Sequence, residues 1–174
     1  MADISGSYIA TLTLADAFFA TRLGVDVWDD ASETDQTKAL QMATAKIDNL
    51  PLQGFKIVST QERAFPRKYE PSESSNPFGE IQIFDPWGYV YDATTVPQLV
   101  LDACCWEALA LLKFYSDDDA LERHDKQSQG VSSASNPSGS ESYLAGTATA
   151  RYGLKSQEAY DLLSPYIERR GNIV

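Results

Sequence analysis

The chain is poor in the residue types that most often carry chemistry. It has one histidine and two cysteines in 174 residues, and Cys104 and Cys105 are neighbours. Adjacent residues on a helix point about 100° apart, so this pair cannot close an unstrained disulfide there. Small thiols of this kind are expected to pack as hydrophobes in a reducing compartment, where an apolar setting leaves them inert. No glycine-rich phosphate cradle is present, which removes nucleotide chemistry. No apolar run approaches the roughly 20 residues of a membrane span. Met1 to Ala10 shows neither a basic n-region nor an apolar h-region, so no secretory signal is expected and a cytoplasm is the expected setting. Basic residues are also scarce: 14 Lys and Arg stand against 25 Asp and Glu, a formal net charge of −11. A sequence-independent grip on nucleic acid comes from cations that neutralise phosphates. The balance therefore predicts an acidic surface that lets DNA pass without sticking.

The candidates for catalysis are correspondingly thin. His124 lies among Glu122, Arg123 and Asp125, with no Ser or Cys nucleophile beside it. The acidic groups Asp26/Asp29/Asp30 and Asp117/Asp118/Asp119 lack the central Gly and closing Glu of a calcium loop, and read as solvated helix caps. No catalytic residue, cofactor or metal is assigned, and the chain is not expected to be an enzyme.

What is present is helix. Pro97 to Tyr115 runs about five turns without internal Gly or Pro, with Pro97 suited to the first turn. Gln98, Asp102 and Lys113 form one narrow polar stripe; almost everything else is apolar, so other elements must wrap this helix. Glu107 falls in the apolar arc of Val100, Ala103, Leu111 and Phe114. A carboxylate there must find a partner, and Arg63 and Arg67, flanking Phe65-Pro66, are the cations proposed for a structural ion pair. Trp106 lies in the polar stripe, either as an interface anchor or buried under a later strap.

Around that hub, Thr13 to Asp16 reads as the start of a helix with Leu14, Ala15, Phe18, Phe19 and Leu23 on one face and a stop at Gly24. Ser7 to Leu12 reads as a short strand or an extended arm, and Val27 and Trp28 as loop. Ser32 to Asp35 opens a helix with a stripe of Leu40, Ala43, Ile47 and Leu50, limited by Pro51. Residues 68–95 form a long aromatic loop. Within it Ile81 to Phe84 and Tyr89 to Tyr91 flank a turn as a β-hairpin, and Phe84, Trp87, Tyr89 and Tyr91 are candidate interface residues. Asp117 to Asp119 caps a short helix to Lys126. Gln127 to Gly146 is rich in Ser, Gly and Asn and reads as a flexible strap. Ser156 caps a last helix, whose Tyr160, Leu163, Tyr166 and Ile167, with Arg169 and Arg170, make a candidate docking face. The expected architecture is all-α: a small bundle around 97–115, organised as a bundle domain over 1–126, a strap over 127–153 and an extended docking arm over 154–174.

Several blocks together resemble the head–tail connector adaptor proteins of tailed bacteriophages. They are Ala15 to Leu23 with Trp28, Lys38 to Leu40 through Ile47 to Gly54, Arg63 to Arg67, Val96-Pro97 with Cys105 to Leu112, and Leu163 to Ile167. The resemblance implies a homo-oligomeric ring of about twelve copies, a closed cyclic assembly, in the neck of a virion assembled in the host cytoplasm. It also implies portal protein on one side, a stopper or tail-completion protein on the other, and genomic DNA in transit without specific binding. Residues 68–95 and the strap depart from that pattern. The alternative is a single-stranded-DNA-binding accessory protein of replication. It calls for a basic groove with aromatic platforms, whereas no basic residue occurs from Glu70 to Leu112.

Overall fold

A computed structural model describes residues 4–68, 95–128, 133–136, 139–142 and 152–168. The fold is mainly helical: α1 (Leu12–Phe19), α2 (Asp26–Asp29), α3 (Glu33–Asp48), α4 (Gln98–Tyr115), α5 (Asp118–Ser128) and α6 (Gln157–Leu163), the last continued by a 3₁₀ turn, Ser164–Tyr166. Two antiparallel ribbons accompany the helices. One is β1 (Phe55–Lys56) with β2 (Arg67–Lys68); the other is β3 (Ser133–Asn136) with β4 (Gly139–Ser142). The second ribbon falls inside the segment expected to be a flexible strap. Its register, Ser133 opposite Ser142 through Asn136 opposite Gly139, is closed by ladder hydrogen bonds that hydrophobic patterning cannot signal.

α4 is the hub. It begins after Pro97, whose carbonyl accepts from Val100 N–H at 2.9 Å, and α3 and α6 pack along it. Val100, Ala103, Cys104, Ala108, Leu109 and Leu111 are buried against Leu40, Ala43 and Ile47 of α3 and Ala159 and Leu163 of α6 within one core. Both ends of that core have side-chain caps. Ser32 Oγ accepts from Asp35 N–H at 3.2 Å, and Ser156 Oγ from Ala159 N–H at 3.0 Å, each satisfying a donor that a helix N-terminus leaves open. Cys104 and Cys105 are buried and unpaired. Burial pushes the Cys104 thiol up to about 11 and that of Cys105 up as well.

The first helix departs from its sequence reading. α1 starts at Leu12 after Thr11 and ends at Phe19, so Leu23 lies beyond it, 97% exposed. Only Ala15 and Phe19 of the expected stripe are buried; Leu14 is exposed. Trp28 belongs to α2, not to a loop, and is buried against Phe19, with ring centroids 4.6 Å apart. Its indole N–H donates to Asp16 at 3.0 Å. Residues 7–11 form no strand.

The C-terminal segment is not a detachable arm. Leu154, Ser156, Ala159, Leu163, Tyr166 and Ile167 are buried, because the short amphipathic helix finds its groove on α4 of its own chain. Tyr160 is half-buried at the edge of that contact.

Glu107 fastens this arrangement. Its carboxylate is completely buried and accepts from Lys46 Nζ of α3 at 2.9 Å. The backbone N–H of Lys155 donates to both oxygens, at 3.0 and 2.9 Å, and Ser156 N–H to Oε2 at 2.9 Å. Three donors from two separate chain segments thus converge on one α4 side chain. Lys46 reaches it with a partly exposed stem and also donates to Gly153 O at 2.9 Å. Glu107→Ala removes the acceptor for all three donors and should lower stability by about 3–5 kcal/mol, the scale of a broken buried pair. Glu107→Gln keeps one carbonyl acceptor and should cost less. Thermal melts of the two variants against the parent check the order.

Candidate nucleic-acid interface

After α3 the chain makes a loop, residues 49–67, that contains β1 and returns to β2, and its shape is fixed by side chains bonding backbone. Asp48, at the last turn of α3, accepts from Ala64 N–H at 2.9 Å and from the Tyr8 hydroxyl. The Tyr8 oxygen in turn accepts from Phe65 N–H at 3.1 Å, and Tyr8 N–H donates to the buried Thr44 hydroxyl at 3.0 Å. Phe65, followed by a cis peptide to Pro66, is buried with its ring edge-on to Tyr166 at 5.5 Å and to Tyr8 at 6.2 Å. Burial, then the hydrogen bond and charge of Asp48, push the Tyr8 phenol far above the usual tyrosine range.

The other root of the loop is backbone pairing with the 3₁₀ turn Ser164–Tyr166 and the two residues after it. Leu52 bridges Ile167, Gln53 N–H donates to Tyr166 O at 2.8 Å, and Glu168 N–H donates to Pro51 O at 2.7 Å. Arg67 closes the neck: its guanidinium donates to Gln53 O at 2.7 Å, to Leu52 O at 3.1 Å and to Gly54 O. Gly54 takes a φ of +71°, which reverses the chain into β1 without side-chain strain. The tip is braced by Lys56 Nζ on Gln61 O at 2.9 Å and by Gln61 Nε2 on Arg63 O and Pro66 O, each at 2.9 Å.

What this frame presents is Phe55, 57% exposed at the edge of the ribbon. Lys56 follows it in sequence, and Lys68 is its register partner across the ribbon. From Pro51 to Lys68 four cations, Lys56, Arg63, Arg67 and Lys68, stand against the single carboxylate of Glu62. An exposed aromatic in a positive setting, held by a preformed backbone, is the pairing that single-stranded nucleic acid uses: bases stack on the ring while cations meet the phosphates.

A second aromatic and cationic group differs in an instructive way. Phe18 and Trp106 meet edge-on at 5.8 Å, and the Arg22 guanidinium lies 3.4 Å from the Phe18 ring centre. Arg22 therefore already covers a face of Phe18, and Trp106 is half-buried against α1. This places Trp106 as packing between α1 and α4.

The structure separates the residues expected to form the Glu107 ion pair. Arg63 lies 3.9 Å from Asp48 and from Glu62, and Arg67 bonds the carbonyls of the loop neck; Lys46 takes the place foreseen for them. Leu163, Tyr166 and Ile167 are core rather than a free docking face. Phe84, Trp87, Tyr89, Tyr91, Arg169 and Arg170 lie outside the described residues. Phe55 was not singled out in the sequence, although its signal, an aromatic inside the one basic stretch of the first half of the chain, was there to read. Among the described residues no group of three or more His, Cys, Asp or Glu could hold a metal, and no helix is long and apolar enough to cross a membrane.

A family model described as "Putative DnaT-like ssDNA binding protein" matches residues 5–174. No curated protein and no solved structure matches the chain. The matched family is not that of the head–tail connector adaptors, which overturns the expected neck adaptor with its ring, portal and stopper partners and its passive passage of DNA. Most of the blocks behind that resemblance are helices of ordinary residues, and each alone carries little that is specific to one family. A net charge of −11 over the whole chain averages away the positive stretch at 51–68.

Tyr8 gives the test of the frame. Tyr8→Phe leaves Phe65 N–H without its acceptor and should cost about 1–3 kcal/mol at neutral pH. The phenol of the folded protein holds its proton above the ordinary value of about 10, so its contribution is full below that pH and fades above it. The gap in melting temperature between parent and Tyr8→Phe should therefore narrow as pH rises beyond about 10.

Proposed function

The chain belongs to this DnaT-like family, and we propose that it binds single-stranded DNA through the loop and ribbon at 51–68, with Phe55 as the stacking platform. The observation that carries this reading is the exposed ring of Phe55 in a stretch of four cations and one carboxylate. Lys56 follows Phe55 along the chain, and Lys68 is its register partner across the ribbon. The loop is braced by Asp48, Tyr8 and Arg67, so little ordering is required on binding. Acidic surface elsewhere confines the strand to this edge and disfavours a duplex, whose paired bases offer no free ring face to Phe55.

The function proposed is binding without catalysis. Support comes from the thiols, which burial raises well above the range of a reactive thiolate.

Fluorescence anisotropy with a labelled oligothymidine of about 16 nucleotides, the upper end of a single module's site, tests the reading. Affinity should fall with salt at a logarithmic slope of about −2, corresponding to roughly three phosphates on a single strand. Phe55→Ala should weaken binding by about 1–3 kcal/mol, the worth of one stacked base, and Phe55→Trp should retain it. Lys56→Ala should reduce the salt slope by about 0.7. Binding unchanged in Phe55→Ala, or none at low salt, would contradict the reading.

A further inference from the structure

A second surface lies between α2, α3 and α4, on other residues than the ribbon. It is a groove of about 670 Å³ with an apolar floor and walls: Val27 of α2, Ala39 and Met42 of α3, and Leu111, Leu112 and Tyr115 of α4. Met42 is 40% exposed and Tyr115 54%, large apolar side chains left open along one groove. The rim is acidic. Asp30 and Asp35 line one side, and Asp117, Asp118 and Asp119 follow directly on Ser116, which lines the end. Among the described residues Lys38 is the one cation in the lining, and it is already paired with Asp35 at 3.2 Å. A hydrogen bond from Ser32, then the hydrogen bond and charge of Lys38, hold the Asp35 carboxyl below its ordinary range.

We infer that this groove receives an amphipathic helix of a partner protein, with apolar side chains on one face and Lys or Arg along its flanks. The occupant follows from charge complementarity. An apolar trough between helices accepts side chains at i, i+3 or i+4, and i+7 of a helix, and a carboxylate rim selects flanking cations while repelling acidic partners. The same rim excludes DNA, so the partner and the single strand occupy different surfaces and can be held at once. The inference does not depend on DNA binding at the ribbon.

The full chain is titrated against a labelled synthetic Leu/Lys amphipathic helix of about four turns, with a Leu/Glu helix of the same pattern as control. Saturable binding of the Leu/Lys peptide alone is expected. Met42→Asp decides between docking and general attraction, because it makes the protein more acidic while putting a charge in the groove. Groove docking predicts binding weaker by about tenfold or more, the scale of a central anchor residue; attraction by net charge predicts equal or tighter binding. Tyr115→Asp, at the exposed end of α4, gives the same contrast should Met42→Asp disturb α3. Phe55→Ala should leave peptide binding unchanged. Equal binding of the Leu/Glu peptide, no saturable binding, or undiminished binding by both Asp variants would overturn the inference.

Discussion

A single buried carboxylate sets the geometry on which the rest depends. Glu107 sits in the apolar arc of the hub helix, where an unpartnered charge would be untenable, and three donors meet it: Lys46 Nζ and the backbone N–H groups of Lys155 and Ser156. Those bonds fix where the chain arrives before α6, and α6 fixes the turn at Ser164–Tyr166. That turn is the surface on which Pro51, Leu52 and Gln53 pair. The platform of Phe55 is therefore reached from Glu107 by an unbroken sequence of hydrogen bonds and packed side chains. Asp48, one helical turn or less beyond Lys46 on α3, anchors the opposite side of the same loop.

Charge is distributed so that surface regions differ in what they attract. Asp26, Asp29, Glu33, Asp35, Asp118 and Asp119 lie in the first turns of α2, α3 and α5, where carboxylates favour the positive helix end. Cations gather at 51–68. Two of them, Lys56 and Arg67, also donate to backbone carbonyls, so the same side chains brace the loop and carry its charge. Net charge describes neither region, and arguments from it about partners hold only for a surface of uniform sign.

The sequence was informative where periodicity is strong. The bounds of α3 and α4, the caps at Ser32 and Ser156, and the oddity of Glu107 all follow from residue spacing alone. Partner choice did not follow. Helix phase states which face of α4 carries Glu107, but Lys46 stands 61 positions away on another helix, and only packing brings the two together. The C-terminal helix was misread for a related reason: an amphipathic face declares that it needs a groove, not whether that groove belongs to its own chain. At the candidate interface, Arg63 and Arg67 drew attention as partners for Glu107. Their true roles, one near Asp48 and one on loop carbonyls, require a backbone conformation that no pattern of residue types reveals.

Backbone amide shifts of the isotopically labelled protein, followed by NMR as an oligothymidine is added, test the central claim most directly. The account predicts perturbations concentrated on Gly54 to Lys68, with Phe55 and Lys56 among the largest and the amides of α2 and the start of α5 unmoved. Perturbations centred on the acidic helices, or a spectrum unchanged at saturating oligonucleotide, would contradict it.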